Sequence, residues 1–219
     1  MPALYPGNTY LPSPLEADED GLVAVGGSLA PEWLIEAYSK GIFPWYEDGL
    51  PILWWSPDPR MVLFPAKFRL HKSFRQWMRR HPDYRVTRNK AFGSVIDYCA
   101  RVPRRGQDGT WITAEMKDAY LELHRLGYAV SYEVWNHKDQ LIGGLYGVDT
   151  GNGYFSGESM FSLEPNVSKL ALYELCRTAD EYGYRIIDAQ IHTPYLALMG
   201  GELIPRRDFL KIIGYGQGI

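Results

Sequence analysis

Residues 129–162 read AVSYEVWNHKDQLIGGLYGVDTGNGYFSGESMFS, and the alternation in this stretch decides the fold class. Ala129, Ser131, Glu133 and Trp135 fall on one side of an extended chain, with Val130, Tyr132 and Val134 on the other. A period of two predicts a strand over 129–135, and Asn136 to Asp139 supply the turn residues of a hairpin. Further strands are predicted over 140–148 and 153–156, joined by a turn at 149–152. The apolar spacing then lengthens to that of an amphipathic helix over 167–181, followed by a strand over 185–190. An antiparallel meander leading into a long helix and another strand predicts an α+β fold with a mixed, largely antiparallel sheet.

Working outward, Thr113 is placed to cap a helix running to about Arg125 and ended by Gly127. Upstream lie a predicted helix over 91–100, a short strand over 84–87 and a basic helix over 68–81. On that basic helix Lys72, Arg75, Arg79 and Arg80 share largely one side. The chain opens as an extended, proline-rich arm and continues with an apolar segment over 21–27. A helix follows in which Ser28 serves as cap, Pro31 occupies the first turn and Gly41 is the stop. Three of the seven tryptophans (Trp45, Trp54, Trp55) then fall within eleven residues. A small N-terminal α/β domain is expected over 1–64 and a larger domain over 65–219. Two short helices close the chain.

With 46% hydrophobic and 22% charged residues among 219, the composition excludes a disordered or fibrous chain. Cys99 and Cys176 are too few for a disulfide scaffold and lack metal-ligand spacing, which points to a reducing compartment. No basic start with an apolar run resembles a signal peptide, and no stretch approaches the ~20 apolar residues of a membrane span. The expectation is a soluble, cytoplasmic protein. A net charge of −3 conceals a segregation: residues 60–105 hold 13 Lys or Arg against two acids, whereas the remainder holds 10 against 24. A local basic surface attracts phosphates whatever the distant charge, because salt screens beyond about 10 Å. A solvated surface segment is the competing account of the same run.

Eight segments taken in order resemble the leucyl/phenylalanyl-tRNA–protein transferase family. They are Gly21-Leu22-Val23-Ala24-Val25-Gly26-Gly27, Gly41-Ile42-Phe43-Pro44-Trp45, the run from Pro51 to Arg60 (PILWWSPDPR), and Gly109-Thr110-Trp111-Ile112-Thr113. The rest are Gly143-Gly144-Leu145-Tyr146-Gly147, Gly157-Glu158-Ser159-Met160-Phe161-Ser162, Ile187-Asp188-Ala189-Gln190 and Ile204-Pro205-Arg206-Arg207. Each is weak alone; together they span nearly the whole chain. The resemblance implies an acetyltransferase-like (GNAT-type) acyltransferase domain behind a small N-terminal domain. It also implies transfer of leucine or phenylalanine, less so methionine, from aminoacyl-tRNA to proteins with N-terminal Arg or Lys, marking them for N-degron proteolysis. No metal and no cofactor are expected, the aminoacyl-tRNA being a co-substrate, and neither DNA nor membrane is an expected partner. Independently, a coenzyme A pyrophosphate needs a glycine-rich loop before a helix. The approach to the 167–181 helix instead has one glycine, two acids and a proline over 157–166.

By this resemblance Asp188 and Gln190 form the catalytic pair, sharing a strand face on either side of Ala189. An α-amino group titrates at about 7.7–8 and must lose a proton to attack an ester, which a carboxylate beside an amide can accept. Glu158 is expected to bind the substrate's cationic N-terminus. Leu145, Met160, Leu172, Leu175 and Ile187 are expected to form the aminoacyl pocket. Trp45 and Trp111 are expected to hold the terminal adenosine, while Trp54 and Trp55 are expected to be buried between the two domains. Lys72, Arg75, Arg79 and Arg80 are expected on tRNA phosphates. Relatives often carry cysteine where Ala189 stands and histidine where Tyr195 stands, so neither of those side chains is required if the activity holds. A cysteine acyl-enzyme, a coenzyme A-dependent N-acetyltransferase and a non-catalytic RNA-binding protein remain as alternatives.

Overall fold

Strand pairing organises the chain into two sheets. The computed structural model describes residues 2–5, 9–102 and 111–216. Near the N-terminus β1 (Ala3–Leu4), β2 (Leu22–Gly26), β3 (Phe43–Pro44) and β4 (Leu53–Trp55) form a four-stranded sheet of order β1-β2-β4-β3, and α1 (Pro31–Ser39) joins β2 to β3. Ala30, not Ser28, is the residue that precedes α1; the Ser28 hydroxyl instead accepts from the Ala30 N–H at 3.1 Å. The extended arm adds β1 in parallel to β2.

The second sheet contains β5 (Arg60–Leu63), β6 (Arg85–Arg88), β7 (Ala129–Trp135), β8 (Leu141–Val148), β9 (Tyr154–Ser162), β10 (Ile186–Gln190) and β11 (Glu202–Ile204), in the order β11-β5-β10-β9-β8-β7-β6. Sheet membership therefore changes just before Arg60, and β5, inside the stretch expected as the N-terminal domain, pairs with β10 and β11. Within this sheet all pairs are antiparallel except β9 with β10, the connection that crosses through α5 (Val167–Arg177). The meander, the long helix and the following strand are all present, and the class is α+β. β9 runs to Ser162, well past the expected end at 156, so Glu158 and Met160 lie on a strand and not in a loop before α5. β11 has no counterpart among the expected elements; three residues are too few for a periodic signal.

The remaining helices are α2 (Lys72–Arg80), α3 (Phe92–Arg101), α4 (Ala114–Arg125), α6 (Pro194–Leu198) and α7 (Arg206–Ile212). Thr113 caps α4 as expected, its hydroxyl accepting from the Met116 N–H at 3.1 Å. α5 packs directly on the backbone of β8: a Cβ at Gly143 would sit 2.5 Å from a methyl of Val167. One apolar cluster runs from Leu11, Trp33, Leu34 and Trp54 into Phe92, Met116, Tyr146 and Phe161, so the two sheets share a core. Among the described residues no helix is long and apolar enough to cross a membrane.

Candidate active site

The site lies where the parallel pair β9–β10 comes apart. Register is kept from Ile186↔Tyr154 to Asp188↔Ser156, after which β9 continues beside β8 alone. At the same point β10 slips against β5 between Asp188 and Gln190, and Gln190 takes a left-handed φ of 62°. A non-glycine residue in that region is strained and needs external support. Asp188 supplies it, one carboxylate oxygen accepting from the Gln190 N–H at 2.9 Å. Asp188 and Gln190 thus reach one site through a bulge, where regular alternation was expected to bring them together.

A cavity of about 670 Å³ opens here. Its lining includes every residue expected in the aminoacyl pocket: Leu145 from β8, Met160 from β9, Leu172 and Leu175 from α5, and Ile187 from β10. Four of these are buried and Met160 partly so. Glu158, Asp188 and Gln190 also line it. The Gln190 amide N–H donates to Glu158 Oε1 at 2.9 Å and to the Ser156 hydroxyl at 3.3 Å. Tyr120 on α4 donates to Glu158 Oε2 at 3.0 Å, and its hydroxyl is in turn hydrogen-bonded to that of Tyr38 on α1. Glu158 is half-buried on the cavity wall. Burial pushes its carboxyl up to about 7; hydrogen bonds from Tyr38, Tyr120 and Gln190 oppose that rise and the Asp188 charge adds to it. Burial and the Glu158 charge hold both tyrosines well above their ordinary range, so they remain donors.

Asp188 is fully buried and paired with Arg60, whose Nε and Nη2 donate to its two oxygens at 2.8 and 2.7 Å. The guanidinium lies between the rings of Phe43 and Phe209, 4.9 and 4.7 Å from their centroids. Its Nη1 is buried and finds no acceptor among the described residues. One arrangement therefore offers a carboxylate poised near neutrality, a second neutralised by an ion pair, and an amide donor between them.

The expected adenosine residues do not share a cavity. Trp45 is 41% exposed and lines a smaller hollow of about 190 Å³ with Asp20, Phe43, Trp55, Pro57 and Ile191, the residue after Gln190. Trp111 lines neither hollow and packs, partly buried, against the shared core. Trp54 is fully buried, its indole N–H donating to the Gly26 carbonyl at 2.8 Å, while Trp55 is partly buried and bonds to the Trp45 carbonyl. Lys72, Arg75, Arg79 and Arg80 are all exposed on α2, opposite buried Phe74, and none pairs with a carboxylate among the described residues. His71 and Arg69, just before α2, bond to the carbonyls of Leu198 and Met199, so the basic helix abuts the α6 segment whose Tyr195 and Leu196 line the main cavity. Arg104, Arg105, Gly109 and Thr110 lie outside the described residues. His192 is exposed and does not line the cavity; Cys99 lines it and Cys176 is buried in the core with its thiol pushed up to about 12.

Tyr38, Tyr120, Ser156 and Arg60 were not singled out as site residues. The two tyrosines occupy core positions of amphipathic helices, where the pattern does not distinguish a phenol with a partner from plain packing. Arg60 closes the Asp58-Pro59-Arg60 motif, which was its one sequence signal.

Two family models match the chain, described as leucyl/phenylalanyl-tRNA protein transferase over residues 62–214 and as the N-terminal domain of that transferase over 27–58. Curated proteins of that name are similar over most of this chain. The one from Teredinibacter turnerae is 52% identical, covering 90% of this chain and 74% of its own. The one from Christiangramia forsetii is 50% identical, covering 90% and 92%. Among solved structures, FemX aligns at 13% identity and a TM-score of 0.46, covering 83% of this chain and 70% of its own. A GCN5-related N-acetyltransferase from Kribbella flavida aligns at 8% identity and 0.40, covering 84% and 63%.

Proposed function

The chain belongs to the leucyl/phenylalanyl-tRNA protein transferase family and is an aminoacyltransferase, and we propose that it joins leucine or phenylalanine, and methionine less well, to the α-amino group of proteins with N-terminal Arg or Lys, marking them for proteolysis. The observation that carries this reading is the division of one cavity into an apolar wall and a polar end. Leu145, Met160, Leu172, Leu175 and Ile187 hold the aminoacyl side chain. Such a wall discriminates by shape, at ~1–3 kcal/mol per methylene, which suits a small set of apolar side chains that are not branched at Cβ. Glu158 and Gln190 receive the peptide terminus, and Asp188 supports the pair by holding Gln190 in place. Because the ester is already activated, holding amine and carbonyl at attack distance accounts for ~7–11 kcal/mol of barrier lowering without covalent chemistry from the protein.

The tRNA's terminal adenosine is assigned to the exposed ring of Trp45, with stacking on an aromatic face contributing ~1–3 kcal/mol, whereas Trp111, packed against the shared core, is left without a contact to it. Its phosphates meet Lys72, Arg75, Arg79 and Arg80, which carry no base readout and so accommodate several isoacceptors. The deciding experiment incubates the protein with radiolabelled leucyl-tRNA and an Arg-initiated peptide, and separately with acetyl-CoA and the same peptide. Label on the peptide N-terminus from leucyl-tRNA alone is expected. Acetylation without leucine transfer would replace this reading with that of an acetyltransferase.

A further inference from the structure

We propose that Glu158 takes the proton shed by the attacking amine, and that Tyr120, backed by Tyr38, is the positioning residue that aims its carboxylate into the cavity. This deepens the aminoacyl-transfer reading and rests on it. Asp188 and Glu158 are the carboxylates that line the cavity among the described residues. Both oxygens of Asp188 are committed to Arg60, and the pair is excluded from solvent. Protonating Asp188 would leave a buried guanidinium without its counter-charge, the most costly way to break such a pair. Glu158 faces only neutral donors: Tyr120 on Oε2, and Gln190 with the Ser156 hydroxyl, at 3.4 Å, on Oε1. Each carboxylate oxygen has two lone pairs, so Oε2 can receive an amine proton without displacing Tyr120.

The step balances as follows. The peptide's ammonium gives one proton to a Glu158 oxygen. The freed lone pair forms the C–N bond at the ester carbonyl, the C–O bond to the ribose breaks, and the second amine proton leaves on the ribose oxygen as its hydroxyl. Glu158 then releases its proton to solvent.

The groups facing Glu158 are Tyr38 from α1, Tyr120 from α4, Tyr146 from β8, Tyr154 and Ser156 from β9, and Asp188 with Gln190 from β10, the former neutralised by Arg60 from β5. Cys99 from α3 and Tyr195 from α6 are the other titratable groups in the lining. Tyr120 and Tyr38 donate to the ionised carboxylate and favour it, so removing either hydroxyl raises the pH at which Glu158 ionises.

The test compares kcat/KM for leucine transfer against pH in the wild type, Tyr120→Phe, Tyr38→Phe and Glu158→Gln, with carboxylate infrared titration of each free protein. Tyr120→Phe is expected to move the rising limb to higher pH, with up to a tenfold loss on the acid side that narrows on the alkaline side, and to raise one infrared carboxylate midpoint in parallel. Tyr38→Phe shifts both in the same direction by less. Glu158→Gln loses about 10²-fold or more and keeps only the limb of the acceptor's own amine, which no substitution in the protein moves. A Tyr120→Phe protein slowed equally at every pH, with its infrared midpoint unmoved, would overturn the proposal, as would a Glu158→Gln protein with wild-type turnover. If the wild type transfers no leucine the functional reading itself falls, an outcome distinct from transfer with an unmoved limb.

Discussion

Asp188 and Glu158 stand on the neighbouring strands β10 and β9 and line one cavity, yet face opposite electrostatics. Asp188 meets a buried guanidinium at 2.7 Å, whereas Glu158 meets hydroxyls and an amide. Truncating Asp188 therefore has a structural cost besides any catalytic one: Asp188→Ala strands Arg60 and is expected to lower stability by about 3–5 kcal/mol. Denaturant unfolding checks this, and an unchanged midpoint would contradict the ion pair's role. Glu158 predicts the opposite trade. Its folded-state pKa is raised to about 7 from the ordinary 4.5, so its contribution to stability is present below pH 4.5 and is lost as pH rises through 7. Glu158→Gln, neutral at all pH, is accordingly expected to be more stable than the wild type above pH 7 and to lose that advantage in acid. Thermal unfolding at several pH values reads the difference. The proton-accepting role proposed for Glu158 accounts for a carboxylate kept at a site that destabilises its ionised form.

Single elements carry the division between what is buried and what is offered to a polyanion. α2 buries Phe74 and half-buries Trp77 while exposing Lys72, Arg75, Arg79 and Arg80. Replacing Arg75 and Arg79 with glutamine is expected to weaken tRNA binding and to reduce its dependence on the logarithm of salt concentration by roughly one for each lost phosphate contact. Filter binding over a salt series measures this, and an unchanged slope would remove α2 from the interface. α5 was legible as a helix because its apolar residues repeat at helical spacing. That Leu172 and Leu175 face a cavity and not only the core was not legible, since both uses require the same apolar residues.

Over the whole molecule, the continuous core from Trp33 and Trp54 to Phe92 and Phe161 ties the small sheet to the large one. The Tyr38–Tyr120 bond adds a polar link between α1 and α4 across the same seam. Unfolding is therefore expected to be a single cooperative transition. Trp54→Ala, which removes a fully buried ring and its bond to Gly26, should lower the stability of the entire chain by about 3–5 kcal/mol. Calorimetry that resolved two separate transitions would contradict a shared core.

Local pattern determined the strands of the meander, the helices around them, the basic segment of α2 and the order of motifs that marks the family, because each depends on neighbours a few residues apart. The ends of elements were less legible: β9 extends to Ser162 through Glu158 and Met160, where the pairing of β8 prevails over a glycine and charge that read as a loop. Only the tertiary structure decided which carboxylate is neutralised and which is poised. Arg60 and Asp188 are 128 positions apart, Tyr38 and Tyr120 are 82 apart, and Tyr120 and Glu158 are 38 apart. A charge's partner and its burial arise when distant strands and helices converge, and no periodicity along the chain encodes that meeting.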